Sequence, residues 1–114
     1  MSHRIQRAQA VILEEVSLIV LNDLKDPRVK NVTITGVKLS ADLRNATVYF
    51  SVLGNEEEIA QATEGLIRAG SFIRKKVAEK VQLKYTPQLR FVYDDTLKKA
   101  AHISELLEKA KKHE

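Results

Sequence analysis

The chain has 114 residues, a formal net charge of +4, a sequence pI of about 9.4 and no cysteine. This composition favours one modest domain with a polyanionic partner, and it excludes disulfides, thiolate zinc sites and a cysteine nucleophile. No apolar run is long enough to span a bilayer and no secretory signal is visible, so we expect a cytoplasmic protein without a membrane partner.

The chain begins with a predicted amphipathic helix. Apolar residues recur at helical spacing between Ile5 and Ile19. Ser2 is suited to cap this helix. Asp26-Pro27 is expected to end it, because the residue before a proline avoids helical backbone angles.

Two strands are predicted next. Apolar and polar residues alternate between Val32 and Leu39, and the alternation changes phase at Gly36, which indicates a β-bulge. Residues 40–45 are typical of a hairpin loop. Residues 46–52 alternate again, as expected for a strand with one buried face.

The middle of the chain predicts two helices with a break at Gly70-Ser71. Asn55 and Glu58 have the spacing of a capping box at the start of the first helix. Beyond the break, apolar residues recur every four positions, at Ile73, Val77 and Val81.

The chain ends in a predicted strand, Gln88 to Tyr93, and a last helix capped by Asp94, Asp95 or Thr96. The residues of this helix that are expected to face inward are Leu97, Ala100, Ile103, Leu107 and Ala110. We therefore predict one α+β domain over residues 1–114, with a three-stranded sheet packed against helices and a C-terminal helix over 97–114 whose end frays.

Charge is distributed unevenly along this order of elements. Residues 55–64 hold four glutamates and no base, whereas residues 65–93 hold seven cationic residues and one acid, a net charge of +6. A concentrated basic face is typical of nucleic-acid binders. A solvated helix face is the more common explanation of a charge run in general, but the break inside this one favours binding.

The two helices around a small-residue break, after a hairpin and before a strand, have the arrangement of a KH RNA-binding module. Such modules clamp a nucleotide backbone on a Gly-x-x-Gly loop, where glycines admit phosphates and the next helix offers free N–H groups. This chain has Ala69-Gly70-Ser71 instead. The structural alternative is that Gly70 closes one helix in a left-handed cap.

Five motifs follow one another along the chain: Asp26-Pro27-Arg28, Ser40-Ala41-Asp42-Leu43, Ala46-Thr47-Val48-Tyr49, Phe72-Ile73-Arg74 and the segment from Pro87 to Asp94. In this order they resemble the ribosome-binding factor A family of bacteria. The resemblance implies a type II KH-like fold, α-β-β-α-α-β, whose interhelical turn is Ala-x-Gly. It also implies a protein that binds the free small (30S) ribosomal subunit, assists late maturation and processing of 16S rRNA and supports growth in the cold.

Catalytic interpretations find little support. His102 with Glu105 is a common solvated pairing on a helix, and a helix cap explains Asp94-Asp95. Asp26 and Arg28 are expected to pair or to fix the turn, and Arg28 is also a candidate for a phosphate contact. We predict no catalytic residue, no metal site and no cofactor.

The sequence thus predicts a non-catalytic RNA-binding protein that is monomeric when free and has no small-molecule substrate. Its alternatives are a general KH-like RNA-binding regulator of translation and a small phosphoryl or nucleotide hydrolase. The predicted RNA-binding residues are Arg4, Arg7, Arg28, Lys38, Arg44, Gly70, Ser71, Arg74, Lys75, Lys76, Lys80 and Lys84.

Overall fold

The computed structural model describes residues 2–96, 99, 104 and 106–110, without the side chain of Ser2. Its elements, in chain order, are α1 (Ser2–Asn22), a 3₁₀ helix (Pro27–Val29), β1 (Val32–Leu39), β2 (Asn45–Val52), α2 (Glu56–Lys80) and β3 (Gln88–Tyr93). The described residues that follow Asp95 are also helical. Within the described residues, no helix combines the length and apolarity needed to cross a membrane.

The three strands form one sheet in the order β1-β2-β3, with β1 antiparallel and β3 parallel to β2. The register of β1 against β2 shifts between Ile34 and Gly36, which confirms the β-bulge predicted from the change of phase. The predicted α+β class with a three-stranded sheet is confirmed, and the arrangement is consistent with a KH-like fold.

Both long helices pack on the same face of the sheet. The alternating buried residues of β2 belong to a single core with those of α1 and α2, and this sharing is possible only if the helices lie side by side on one face. The members of that core with 0% exposure are Ile12, Val16, Val48, Phe50, Leu66, Ile73 and Val77.

The predicted break at Gly70-Ser71 is wrong, because α2 runs through both residues as one helix of 25 residues. No glycine of the described residues has a positive φ angle, so a left-handed cap at Gly70 is also excluded. The buried stripe of α2 continues from Leu66 to Ile73 across the glycine. This packing outweighs the cost of about 1 kcal/mol that a glycine imposes on a helix interior.

The ends of α1 and α2 show where local signals decide the structure. The side chains and backbones of Asn55 and Glu58 exchange both hydrogen bonds of the predicted capping box, so that prediction is confirmed. In contrast, α1 ends at Asn22 and not at Asp26-Pro27, which starts the 3₁₀ helix instead. The Ile19 carbonyl accepts from two successive N–H groups there, which closes α1 early.

The C-terminal helix departs from its predicted pattern. Leu107 was expected to face inward, but it is 62% exposed, and Ala110 is exposed as well. Leu97, Ala100 and Ile103, which share that predicted face, lie outside the described residues, and so does the predicted capping side chain of Ser2. At the described end of this helix, apolar residues at helical spacing are therefore exposed and not buried.

Candidate nucleic-acid interface

The continuity of α2 converts the charge asymmetry of the sequence into a charge gradient along one helix. Glu56, Glu57 and Glu58 occupy its first turn and Lys80 its last. Acidic residues at a helix N-terminus and basic residues at its C-terminus both complement the helix dipole. A helix of 25 residues is about 37 Å long, so the basic end is well separated from the acidic end.

An open groove of about 700 Å³ lies between the basic half of α2 and the segment that leads into β3. The α2 side is formed by Ile67, Gly70, Ser71, Arg74, Lys75 and Ala78. The other side is formed by Lys84, Tyr85, Thr86, Gln88 and Leu89. The groove brings together several of the predicted RNA-binding residues, from two parts of the chain.

Arg74 holds the two walls of the groove together. Its Nε donates to the Pro87 carbonyl at 3.1 Å and its Nη2 donates to the Thr86 carbonyl at 2.8 Å. The side chain is half-buried, and these bonds orient its guanidinium toward the backbone of the segment before β3. Arg74 therefore fixes the shape of the groove, a role that the sequence did not reveal.

Gly70 and Ser71 line the groove, but not as the turn that the sequence predicted. Inside a continuous α-helix each N–H donates to the carbonyl four residues earlier, so a free helix N-terminus is absent at Gly70. A phosphate in this groove would have to be bound by side chains. What Gly70 offers is space, because a Cβ atom there would have only the Phe91 ring nearby, at 3.9 Å.

The lysines at this end of α2 differ in how exposed their side chains are. Lys75 is exposed and lines the groove, and Lys80 is exposed in the last turn. Lys76 is half-buried, and its Nζ lies 5.6 Å from the centre of the Phe72 ring. Of the exposed lysines at this end, Lys75 and Lys84 line the groove, whereas Lys80 lies outside it in the last turn of α2.

An aromatic ring flanked by two cations stands at the edge of the groove. Tyr85 is 54% exposed, with Arg44 Cζ at 5.2 Å and Lys84 Nζ at 5.6 Å from its ring centre. Arg44 was predicted as an outlying RNA-binding residue of the hairpin loop, but its contact with Tyr85 was missed. The parallel pairing of Asn45 with Gln88 creates this proximity.

The hairpin loop is rigidly built around Asp42. Its Oδ1 accepts from the Ser40 hydroxyl and, at 3.0 Å, from the Arg44 N–H. Both hydrogen bonds lower the pKa of Asp42, and the bond from Ser40 has the larger effect. Leu43 completes the turn with a positive φ of 63°. The Ser40-Ala41-Asp42-Leu43 motif therefore sets the position of Arg44.

Arg28 is engaged within the protein. Its Nη2 lies 2.6 Å from Asp26 Oδ2, and its Nη1 lies 3.9 Å from Glu64 Oε1. The hydrogen bonds from the Arg28 side chain and backbone lower the pKa of Asp26, and the side-chain bond to Asp26 raises the pKa of Arg28. The expected pairing and fixing of the turn are confirmed.

Gly65 explains how this turn docks on α2. A Cβ atom at Gly65 would lie 3.0 Å from Val29 Cγ1 and 3.4 Å from Asp26 Oδ2. The absence of a side chain thus lets the 3₁₀ helix approach α2 closely. Neither Asp26 nor Arg28 lines the groove.

The remaining predicted RNA-binding residues, Arg4, Arg7 and Lys38, are exposed on α1 and β1 and do not line the groove.

Asp94 accepts from the Thr96 hydroxyl and N–H and from the Thr35 hydroxyl, and these bonds lower its pKa. These bonds fix the turn before the C-terminal helix, whose first carbonyl acceptor is that of Asp95 toward the Lys99 N–H. Among the described residues, no cluster of histidine and carboxylate side chains is arranged to hold a metal ion.

Comparison with known proteins gives both sequence and structural relatives. The sequence profile described as ribosome-binding factor A matches residues 4–107. Ribosome-binding factor A of Halothermothrix orenii is 43% identical over 111 residues, which are 97% of this chain and 91% of that protein.

Solved structures agree with the sequence comparison. The crystal structure of ribosome-binding factor A from Thermus thermophilus superposes with a TM-score of 0.71 at 26% identity, covering 78% of this chain and 93% of that one. A homology model of the Thermus thermophilus protein, fitted into a cryo-EM map of its 30S complex, gives a TM-score of 0.61 at 26% identity, covering 83% of this chain and 96% of that one.

Proposed function

This chain belongs to the ribosome-binding factor A family, and from that premise we propose that it binds the free small ribosomal subunit and assists late maturation and processing of 16S rRNA, with a role in cold adaptation. The observation that carries the proposal is the groove at the basic end of α2, flanked by Lys75 and Lys84. The fit of the Thermus thermophilus protein into a 30S complex supports the same partner here. Such a protein would act in the cytoplasm.

The contacts with rRNA are proposed to be mainly phosphate contacts from lysine side chains. Lysine ammonium groups bind phosphates as mobile point charges and carry no base information, which suits the recognition of a folded RNA by its backbone. The primary contacts would come from Lys75, Lys80 and Lys84. Arg4, Arg7, Lys38, Arg44 and Lys76 would extend the surface, and Arg28 and Arg74 would support it from within.

The proposed action is conformational and requires no catalysis by this chain. A protein that binds one rRNA conformation more tightly than another shifts the population toward it by that difference in affinity. Processing enzymes could then recognise the favoured conformation. The factor would be monomeric when free and needed in amounts comparable to the particles it serves.

Cells that lack the protein provide the test. We expect them to accumulate small subunits that contain 16S rRNA precursors with unprocessed ends, and more so at low temperature, where misfolded RNA helices rearrange slowly. The parent gene should restore processing, whereas a Lys75→Glu, Lys80→Glu variant that folds should not. Normal processing in the cold without the protein would contradict the proposal and favour a general RNA-binding role.

A further inference from the structure

Tyr85 is placed where a nucleic-acid strand in the groove would meet an aromatic surface. Slightly more than half of the side chain is accessible, and the residue belongs to the wall of the groove opposite Lys75. Tyrosine is a residue of intermediate burial, so its exposure alone does not indicate a function. What indicates a ligand is the place of this ring in a basic groove, with two cations beside it.

The backbone around Tyr85 is held on two sides. Arg74 donates to the carbonyls of Thr86 and Pro87, and the Gln88 N–H donates to the Arg44 carbonyl at 2.8 Å. The ring is thus carried on a segment tied both to α2 and to the hairpin loop. A segment whose backbone is held before binding loses little conformational freedom when a ligand stacks on the ring that it carries.

The two cations at the ring are both exposed and both reach it from flexible side chains. Arg44 and Lys84 lie 5.2 Å and 5.6 Å from the ring centre, close enough for cation–π attraction but without burial. Such contacts are weak enough to be exchanged. Each cation could leave the ring for a phosphate while a base takes its place.

From this arrangement we propose that Tyr85 stacks on an unpaired base of RNA at the edge of the groove, while Arg44 and Lys84 bind the neighbouring phosphates. The inference rests on the proposed function and narrows its ligand to an unpaired RNA segment, since a base within a duplex does not present a free face to a side chain. Stacking on an aromatic residue tolerates any base, so Tyr85 selects for single strands without selecting a sequence.

The chain offers a direct optical readout of this contact. It contains three tyrosines and no tryptophan, so its intrinsic fluorescence comes from tyrosine alone. Tyr49 and Tyr93 are less exposed than Tyr85. Saturation of the parent with a short unpaired oligoribonucleotide should quench part of this fluorescence. Tyr85→Phe keeps a stacking ring, so it should bind within about twofold of the parent but lose that quenching.

Tyr85→Leu tests the energetic contribution of the ring. The loss of one base–aromatic stack should weaken binding to the unpaired oligonucleotide by roughly tenfold at every salt concentration. The slope of log affinity against log salt should stay the same, because no charge is removed. Binding to a blunt-ended two-strand duplex of equal length should change by less than twofold. Circular dichroism would verify that the variant is folded.

Two results would overturn the inference. One is parent-like affinity of Tyr85→Leu for the unpaired oligonucleotide, and the other is an equal loss of affinity for the duplex. If Tyr85→Leu is unstable, the Tyr85→Phe variant still tests the inference. Quenching of its tyrosine fluorescence as strong as that of the parent would also overturn the inference. A Lys75→Gln, Lys80→Gln variant distinguishes failure of the stacking inference from failure of the proposed function. If the basic end of α2 binds RNA without stacking on Tyr85, this lysine variant should still bind RNA more weakly than the parent.

Discussion

At the scale of single residues, the Asp26-Pro27-Arg28 motif acts inside the protein. Asp26 caps the 3₁₀ helix through the Arg28 N–H at 2.9 Å and holds the same residue's guanidinium. The turn then packs against α2 at Gly65, where a Cβ atom would lie only 3.0 Å from Val29 Cγ1. The motif therefore anchors the segment between α1 and β1 and leaves Arg28 little freedom to reach RNA.

The lowered pKa of Asp26 predicts how stability responds to acid. A carboxyl group whose pKa is lower in the folded state stabilises the fold above its unfolded pKa, and this contribution is lost as the pH falls through the folded pKa. The free energy of unfolding should therefore decrease below about pH 4. Urea unfolding between pH 2 and 7 would measure this dependence.

Variants of the pair identify the residue responsible. Asp26→Asn removes the titrating group and Arg28→Gln removes its main donor, so both should be less stable than the parent at neutral pH and lose less stability on acidification. Asp42 and Asp94 also have lowered pKa values, so a residual dependence should remain. An acid response identical to that of the parent in both variants would assign it to other carboxyl groups.

At the scale of elements, α2 shows that glycine has two different effects within one helix. A Cβ atom at Gly65 would lie only 3.0 Å from Val29 Cγ1 in the 3₁₀ helix, whereas the position of a Cβ atom at Gly70 is unobstructed. Neither glycine has a positive φ. The glycine that the sequence made conspicuous, Gly70, is therefore the one that the fold can replace more easily.

Alanine at these two positions provides a matched pair. Gly70→Ala should raise the free energy of unfolding by about 0.5–1 kcal/mol, because alanine loses less backbone entropy in a helix. Gly65→Ala should be less stable than Gly70→Ala, since its Cβ atom would lie 3.0 Å from Val29 Cγ1. Urea unfolding followed by circular dichroism measures both. Equal stability of the two variants would contradict this account of α2.

The sequence predicted the elements whose signals are local. The alternation of β2, the phase shift at Gly36 and the capping box at Asn55 each depend on neighbouring residues, and each is confirmed. The predicted break in α2 was wrong because a Gly-Ser pair between two apolar repeats resembles a helix boundary. The burial that keeps α2 continuous depends on distant strands, which local patterns do not report.

The candidate site was predictable only in part for the same reason. The cations at the basic end of α2 follow one another in sequence, so their clustering could be anticipated. The contact between Arg44 and Tyr85 joins residues 41 positions apart through the pairing of β2 with β3. The bonds from Arg74 to the backbone before β3 likewise required the folded structure.

At the scale of the whole molecule, the charge gradient along α2 gives the domain a basic end that carries the groove. Binding to RNA through this end should be strongly salt-dependent, because each phosphate contact releases counterions. On single-stranded RNA, Lys75→Gln, Lys80→Gln should lower the magnitude of the slope of log affinity against log salt. The expected decrease is about 0.7 for each phosphate that is no longer neutralised.

Two lysines outside the groove supply the control for this measurement. Lys25 and Lys30 are exposed on either side of the 3₁₀ helix, and neither lines the groove. Lys25→Gln, Lys30→Gln removes the same net charge, so its slope should stay close to that of the parent. Equal reductions in both double variants would mean that net charge, and not the basic end of α2, determines binding.

We propose that this chain binds small ribosomal subunits through the basic end of α2. Co-sedimentation of the purified protein with purified small subunits, large subunits and whole ribosomes tests this claim. We predict that the parent sediments with free small subunits in a ratio near one and not with large subunits. The folded Lys75→Glu, Lys80→Glu variant should remain in the supernatant, whereas Lys25→Glu, Lys30→Glu should sediment like the parent. Equal sedimentation with both subunits, or undiminished binding of the Lys75→Glu, Lys80→Glu variant, would contradict the claim.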